Sequence, residues 1–194
     1  MSDLGYQNHY KVLNAKDFDV PQNRNRVFIV SIKESLNQKY IMPKGNKLNK
    51  SIEDILQKNV RDKYYLSQKA KKRLQDKKRF DIINKKTDEI VKYIDDNFRK
   101  AVYQINGISP TVIESHGDVV RIKVDDGFRK ITPLEAFRLM GFDDKDYFKA
   151  KKEMERVFYY GHDKSDTRLY KAAGKSIVVP VLEEIFKNLF RGRG

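Results

Sequence analysis

The sequence contains no cysteine. Disulfides and thiolate metal sites are therefore excluded, as is any reaction in which this chain itself supplies a cysteine nucleophile. No window approaches the roughly 20 consecutive apolar residues of a bilayer span. The opening residues, MSDLGYQNHY, lack the basic start and apolar run of a secretory signal, so no membrane partner is expected and the expected location is the cytoplasm. Histidine is scarce: His9, His116 and His162 are scattered, and without a spaced carboxylate pair they predict no metal site. There is no internal repeat and no long low-complexity tract. Acidic side chains are the minority, 27 against 41 Lys and Arg, which leaves a formal charge of +14.

That surplus points to a polyanionic partner, with nucleic acid first. Its distribution sharpens the reading. Residues 61–100 hold 14 Lys or Arg against 7 Asp or Glu, and the densest run is Lys69 to Arg79. Such a run is either a solvated helix face or a phosphate-contacting one. With 39% apolar residues in 194, the chain can bury a core and make one ordinary domain, with or without a small companion.

Local patterns divide the chain. Residues 10–32 read as two strands around a turn, with Arg26 to Ile32 (RVFIVSI) suited to a buried strand. Residues 33–50 read as a polar linker. Ser51, with Asp54 three residues on, opens a helix that places Ile52, Ile55 and Leu56 on one face. Ser67 opens a basic helix through about Arg79, and Thr87 opens another with Ile90, Val91 and Ile94 inward. Residues 101–105 and 119–124 read as strands. Thr132-Pro133-Leu134-Glu135 is a reciprocal capping box with proline at the first helical position, and Gly141 suits the helix end. A last helix runs through Ile177, Val181, Ile185 and Leu189, with Pro180 setting its start or kinking it. The tyrosine pairs Tyr64-Tyr65 and Tyr159-Tyr160 read as half-buried packing.

Four stretches in order carry a resemblance. They are Leu4-Gly5-Tyr6 with Val12 to Phe18; Val20-Pro21-Gln22-Asn23-Arg24-Asn25-Arg26 running on to Val30; Arg129 to Phe142; and Ala173-Gly174-Lys175-Ser176 to Leu182. Together they resemble the seventh to tenth motifs of DNA (cytosine-5)-methyltransferases, the second being that family's Gln-x-Arg-x-Arg. The resemblance implies an α/β fold: the C-terminal portion of a Rossmann-like S-adenosylmethionine-dependent methyltransferase domain with an inserted small α+β target recognition domain. It divides the chain into 1–35 and 128–194, belonging to the catalytic domain, and 36–127, the recognition domain, which coincides with the basic insertion seen in composition.

The resemblance also implies site residues. Gln22, Arg24 and Arg26, on one face if extended, would line the edge of a pocket for a flipped cytosine, where an arginine fork suits carbonyl and phosphate oxygens. Arg24, Arg26, Arg73, Ser109, Thr111 and His116 are the candidate DNA contacts, although His116 reads first as a surface-loop histidine. The ninth-motif helix reads as structure holding the lobes together. Gly174, Lys175 and Ser176 would close one side of the S-adenosylmethionine pocket, where a helix start offers free N–H groups to a carboxylate. The family usually has Asn where Lys175 stands, so Lys175 either pairs with the cofactor carboxylate or disturbs the pocket. A phosphate-loop reading of Gly-Lys-Ser fails, because Leu169 stands where that motif needs glycine.

Three family parts have no counterpart here: the Pro-Cys nucleophile, the Glu-Asn-Val carboxylate and the Gly-rich cofactor turn. No catalytic residue is therefore assigned, and the polypeptide alone is expected not to methylate DNA. The preferred expectation is one half of a split enzyme from a bacterium or phage, binding double-stranded DNA. A second polypeptide carrying the first six motifs, or a homo-oligomer, would cover an exposed sheet edge. A non-catalytic DNA-binding remnant or regulator and a fragment of a full-length enzyme are the other readings.

Overall fold

In the computed structural model, residues 4–76, 80–82, 91–93, 101–114, 119–125 and 127–191 are described, with only the backbone course given for 73–76, 80–82 and 91–93. Two strands, β1 (Tyr6–Asn14) and β2 (Asn25–Lys33), form an antiparallel ribbon in which Tyr6 faces Lys33 and Asn14 faces Asn25. The turn between them is a short 3-10 segment, Ala15–Phe18, capped by the Asn14 side chain and closed by Asp19 in the left-handed region at φ 58°. The ribbon corrects one expectation. Strand 26–32 is not buried throughout: Val27 and Ile29 are exposed, while Phe28 and Val30 pack towards the core and Ile32 is buried. A two-stranded ribbon has two faces, and only one lies on the core.

The basic insertion supplies helix α1 (Gln68–Asp76) and strands β3 (Phe80–Ile82), β4 (Val91–Tyr93), β5 (Val102–Gln104) and β6 (Arg121–Val124). With β7 (Gly127–Lys130) they form a five-stranded sheet in chain order, parallel at β5–β6 and antiparallel elsewhere. Val91 is therefore in a strand, not in a helix; β-branched residues favour strands, and sheet pairing overrides the helical spacing. The helix expected from Ser51 is only a 3-10 turn, Glu53–Ile55, although Ser51 and Asp54 do bond to each other. Strand β7 straddles the expected boundary at 127/128, and one cluster of buried side chains, including Leu13, Ile52, Ile122, Leu139 and Leu169, crosses all three expected segments.

Four helices complete the chain: α2 (Pro133–Arg138), α3 (Asp144–Tyr159), α4 (Asp166–Lys175) and α5 (Val179–Phe190). The capping box on α2 forms as read, with the Glu135 N–H donating to the Thr132 hydroxyl and the Thr132 N–H to the Glu135 carboxylate. Gly141, at φ +78°, lets α5 approach, since a Cβ there would lie 2.3 Å from Pro180 Cδ. Pro180 does set the start of α5, but the helix begins at Val179, leaving Ile177 outside it and half exposed. Tyr64 is buried with its hydroxyl on Asp166, whereas Tyr160 is 93% exposed because it caps α3 in the left-handed region. No described helix is long and apolar enough to cross a membrane, and no metal-binding cluster occurs among the described residues.

Glu135 ties these parts together. It is fully buried, and its two oxygens accept from both Arg129 terminal nitrogens at 2.7 and 2.8 Å, from the Thr132 N–H at 2.7 Å and from the Gln57 N–H at 2.8 Å. Arg138 on the same helix donates to the carbonyls of Ile55 and Leu56 and to Asp144. The ninth-motif helix thus fastens the 55–57 loop and β7 to the helical layer. Glu135→Ala removes all four acceptor contacts and leaves Arg129 buried without its partner. Chemical denaturation should show a loss of about 3–5 kcal/mol, as for other broken buried pairs.

Candidate functional site

The segment before β2 is threaded rather than extended. The Asn14 side chain donates to the Asn23 side chain at 2.7 Å and accepts the Arg24 N–H at 3.0 Å. Pro21 and Asn23 exchange backbone bonds with Ser109, both 2.8 Å, so residues 21–23 run beside 109–112. This arrangement separates the three residues expected to share a face. Gln22 is fully buried; it donates to the Leu139 carbonyl at 2.5 Å and accepts the Val112 N–H at 2.8 Å. Arg24 is 5% exposed, and its guanidinium donates to the carbonyls of Val112 (2.7 Å), Gly174 (2.9 Å) and Ser176 (3.1 Å). Burial, with the nearby Arg26 charge, pulls its pKa below the ordinary guanidinium value. Arg26 alone of the three is solvent-facing, its only described hydrogen bond being to the Asn25 carbonyl.

Strand alternation starts only at Asn25, so Gln22 and Arg24 are internal ties and the outward role falls to Arg26. The recognition candidates divide similarly. Ser109 is fully buried with its hydroxyl on the Pro110 carbonyl, and Thr111 is half-buried with its hydroxyl donating to the Asn23 carbonyl. Both hold the 109–112 segment in place. Arg73 lies in α1 with its side chain outside the described residues, and His116 lies outside them altogether.

The tenth-motif residues meet this segment from the other side. Gly174 and Lys175 end α4 rather than forming the turn, and Ser176 caps it with its hydroxyl on the Ala173 carbonyl. Gly174 packs so closely that a Cβ would lie 2.7 Å from the Ile113 carbonyl carbon. Lys175 forms an exposed ion pair with Glu114 at 2.9 Å, a partner that sequence spacing gave no way to find. The start of α5 is less open to an anion than expected: the Val179 N–H is taken by the Met140 carbonyl, and Pro180 has none.

A cavity of about 270 Å³ lies where these segments converge. Leu13, Phe28, Val178 and Val181 form its apolar wall, Arg26 and Lys175 bring cations to it, and among the described residues no acidic side chain lines it. The structure therefore gathers two residues expected at the cytosine pocket, Arg24 and Arg26, and two expected at the cofactor pocket, Lys175 and Ser176, around one hollow. Asn14, Asn23 and Glu114, which fix its surroundings, escaped the sequence reading. The two asparagines carried a legible signal, as polar residues bracketing a turn between apolar strands.

Comparison with known proteins agrees along the whole chain. The family described as C-5 cytosine-specific DNA methylase matches residues 1–191. Type II methyltransferase M2.ScrFI of Lactococcus lactis subsp. cremoris is 33% identical over 198 residues, covering 100% of this chain and 48% of the relative. Orphan methyltransferase M.SssI of Spiroplasma monobiae is 37% identical over 192 residues, covering 97% and 46%. The chain thus spans about half the length of these curated relatives. Among solved structures, the Entamoeba histolytica methyltransferase EhMeth superposes with TM-score 0.64 at 13% identity, covering 100% of this chain and 56% of that one. The Dnmt2 methyltransferase of S. pombe gives 0.62 at 16%, covering 97% and 58%.

The two arginines should separate on substitution. Arg24→Met leaves three carbonyls without their donor and should lower stability by at least about 2 kcal/mol. Arg26→Ala should leave it within about 0.5 kcal/mol. Urea denaturation of the two variants checks the contrast.

Proposed function

The chain belongs to the C-5 cytosine-specific DNA methylases, and from that premise we propose that it is the DNA-gripping, target-recognising half of such an enzyme. The observation that carries the reading is the cavity uniting Arg26 and Lys175 over an apolar wall, with the 109–112 segment bonded directly behind it. Residues 36–127 are the recognition domain in this reading, and 1–35 with 128–194 complete the catalytic domain. Arg26 meets the flipped cytosine's carbonyl or the adjoining phosphate with its planar fork. Arg24 and Gln22 act behind it, holding the strand entrance and the recognition segment in register. Lys and Arg of the basic insertion hold the duplex backbone, which positions the complex without choosing sequence.

The cavity lining fits part of S-adenosylmethionine, which when bound supplies the methyl group for cytosine C5. Phe28, Val178 and Val181 offer a wall for its apolar surface, and Lys175 offers a cation for its carboxylate in exchange for Glu114. Among the described residues the lining has no acidic side chain for the ribose hydroxyls, and in this reading the rest of that site belongs to a complementary half. The attacking thiolate does too, since the chain has no cysteine. A complementary half bearing the Pro-Cys and Glu-Asn-Val segments completes the reaction.

The test is methyl transfer from labelled S-adenosylmethionine to duplex DNA, by the chain alone and mixed with such a half. Activity is expected only in the mixture; methylation by the chain alone would overturn the reading.

The Lys175–Glu114 pair and the occupied start of α5 favour a second reading, a DNA-binding module without catalysis. Both readings require duplex affinity, with a Kd of order 10⁻⁴–10⁻⁶ M for non-specific sequence and a steep dependence on salt. Arg26→Ala should reduce the slope of log K against log salt by about 1 if Arg26 meets a phosphate. A chain that shows no DNA binding at low salt excludes the module.

A further inference from the structure

Helix α4 is two-sided in charge. Its buried residues Leu169 and Ala173 lie on one side, and Asp166, its only acidic residue, shares that side. There the Asp166 carboxylate accepts the Tyr64 hydroxyl at 2.9 Å and pairs with Lys63 at 2.7 Å. At roughly 100° per residue, Arg168, Lys171 and Lys175 fall within about 60° of one another on the opposite side. Arg168 and Lys175 are exposed and Lys171 is half-buried, with no large apolar side chain among them. Among the described residues neither Arg168 nor Lys171 has an ion-pair partner. The Arg168 guanidinium is nevertheless fixed, its carbon lying 3.9 Å from the centre of the Phe158 ring near the end of α3. Stacking uses the face of the guanidinium and leaves its in-plane N–H donors free. At the other end of the row, Lys175 borders the cavity with Arg26.

We propose that this face of α4 is a phosphate track, on which Arg168 and Lys171 hold the backbone of the DNA strand leading away from the cavity mouth. The track rests on the reading of the chain as a DNA-binding protein and extends its contact surface beyond the basic insertion. Lys175 marks where the track meets the cavity; its charge is shared with Glu114 at 2.9 Å, and the track does not depend on it. Spacing favours nucleic acid as the partner. From Arg168 to Lys175 the helix rises about 10 Å, the axial length over which one strand of a duplex presents about three phosphates. A regular row of like charges suits a polyanion of regular repeat. An acidic protein segment binds tightly when an aromatic or apolar anchor fills a pocket, and the nearest aromatic face, on Phe158, is already taken by Arg168. Direction favours nucleic acid as well, since the row ends at the hollow to which Arg26 brings its fork. Contacts of this kind fix register on the duplex and leave the choice of sequence to other residues.

Two measurements on the full 194-residue chain test the track. In a salt series with a short duplex, Arg168→Ala with Lys171→Ala should lower the slope of log K against log salt by about 2 and weaken binding roughly tenfold or more. Lys33→Ala with Lys187→Ala removes the same charge from exposed positions elsewhere, and should change the slope by less than about 0.5. The second measurement exploits the lack of cysteine. A thiol-linked photo-crosslinker introduced through Thr167→Cys, at an exposed position beside Arg168, should trap the DNA. The same group introduced through Ser35→Cys, past the end of β2 remote from Arg26, should not. Cross-linking stands whether or not the double alanine variant folds. An unchanged slope in that variant, an equal loss in its charge-matched control, or DNA trapped no better from Thr167→Cys than from Ser35→Cys overturns the track while leaving DNA binding intact. Poly-glutamate that displaces the duplex from α4 as readily as unlabelled duplex does overturns the choice of partner. An unsubstituted chain that binds no duplex at low salt removes the DNA-binding reading itself, and the track with it.

Discussion

The site depends on one buried cation. Arg24 carries a full charge at 5% exposure, and none of the groups accepting its hydrogen bonds is a carboxylate. Three backbone carbonyls accept its guanidinium, and they come from two segments far apart in sequence, 112 and 174–176. A guanidinium suits this because its rigid fork offers several donors in one plane, which a lysine cannot do. Because an unsatisfied buried charge is so costly, the three carbonyls cannot drift independently. The 109–112 segment and the end of α4 are thereby held at a fixed separation, and the cavity lies beside Arg24, between the β1–β2 ribbon and residues 175–181.

A second buried group does the corresponding work on the far side. Glu135 accepts four hydrogen bonds, from Arg129 twice, Thr132 and Gln57, and so joins β7, the start of α2 and the 55–57 loop. The two anchors are of opposite sign and are satisfied differently, one by carbonyls and one by an arginine with backbone N–H groups. Between them the basic insertion is attached at both ends to the helical layer. The sheet it contributes runs through to β7 without a break at 127/128. The segments read from sequence as recognition and cofactor regions therefore share one core.

How much was legible depended on the range of the interaction. The capping box at Thr132 and Glu135 was readable because all its atoms lie within one helical turn. The starts and ends of β5, β6 and α5 were readable to within a few residues for the same reason. The 91–93 strand was misread because helical spacing of Ile90, Val91 and Ile94 is also compatible with a β-branched strand, and only the neighbouring β5 decides between them. Helix α3 was missed although Tyr147, Ala150 and Met154 have its spacing, since its many lysines hid the apolar stripe. The arginine motif was recognised but its geometry was not: alternation of 22, 24 and 26 presumes an extended strand, and the strand begins at Asn25.

The sequence by itself determined the family, the strongly basic character, the lack of a sulfur nucleophile and the short-range caps and turns. All of these reside in residue identity or in neighbours a few positions apart. Only the tertiary structure decided which arginine faces solvent, that Lys175 is held by Glu114, and that one face of the β1–β2 ribbon is left bare. Those outcomes turn on which distant carbonyls, carboxylates and apolar surfaces the fold brings within contact. Hydrogen bonds and burial are decided at a few ångströms in space, and no spacing along the chain encodes those distances.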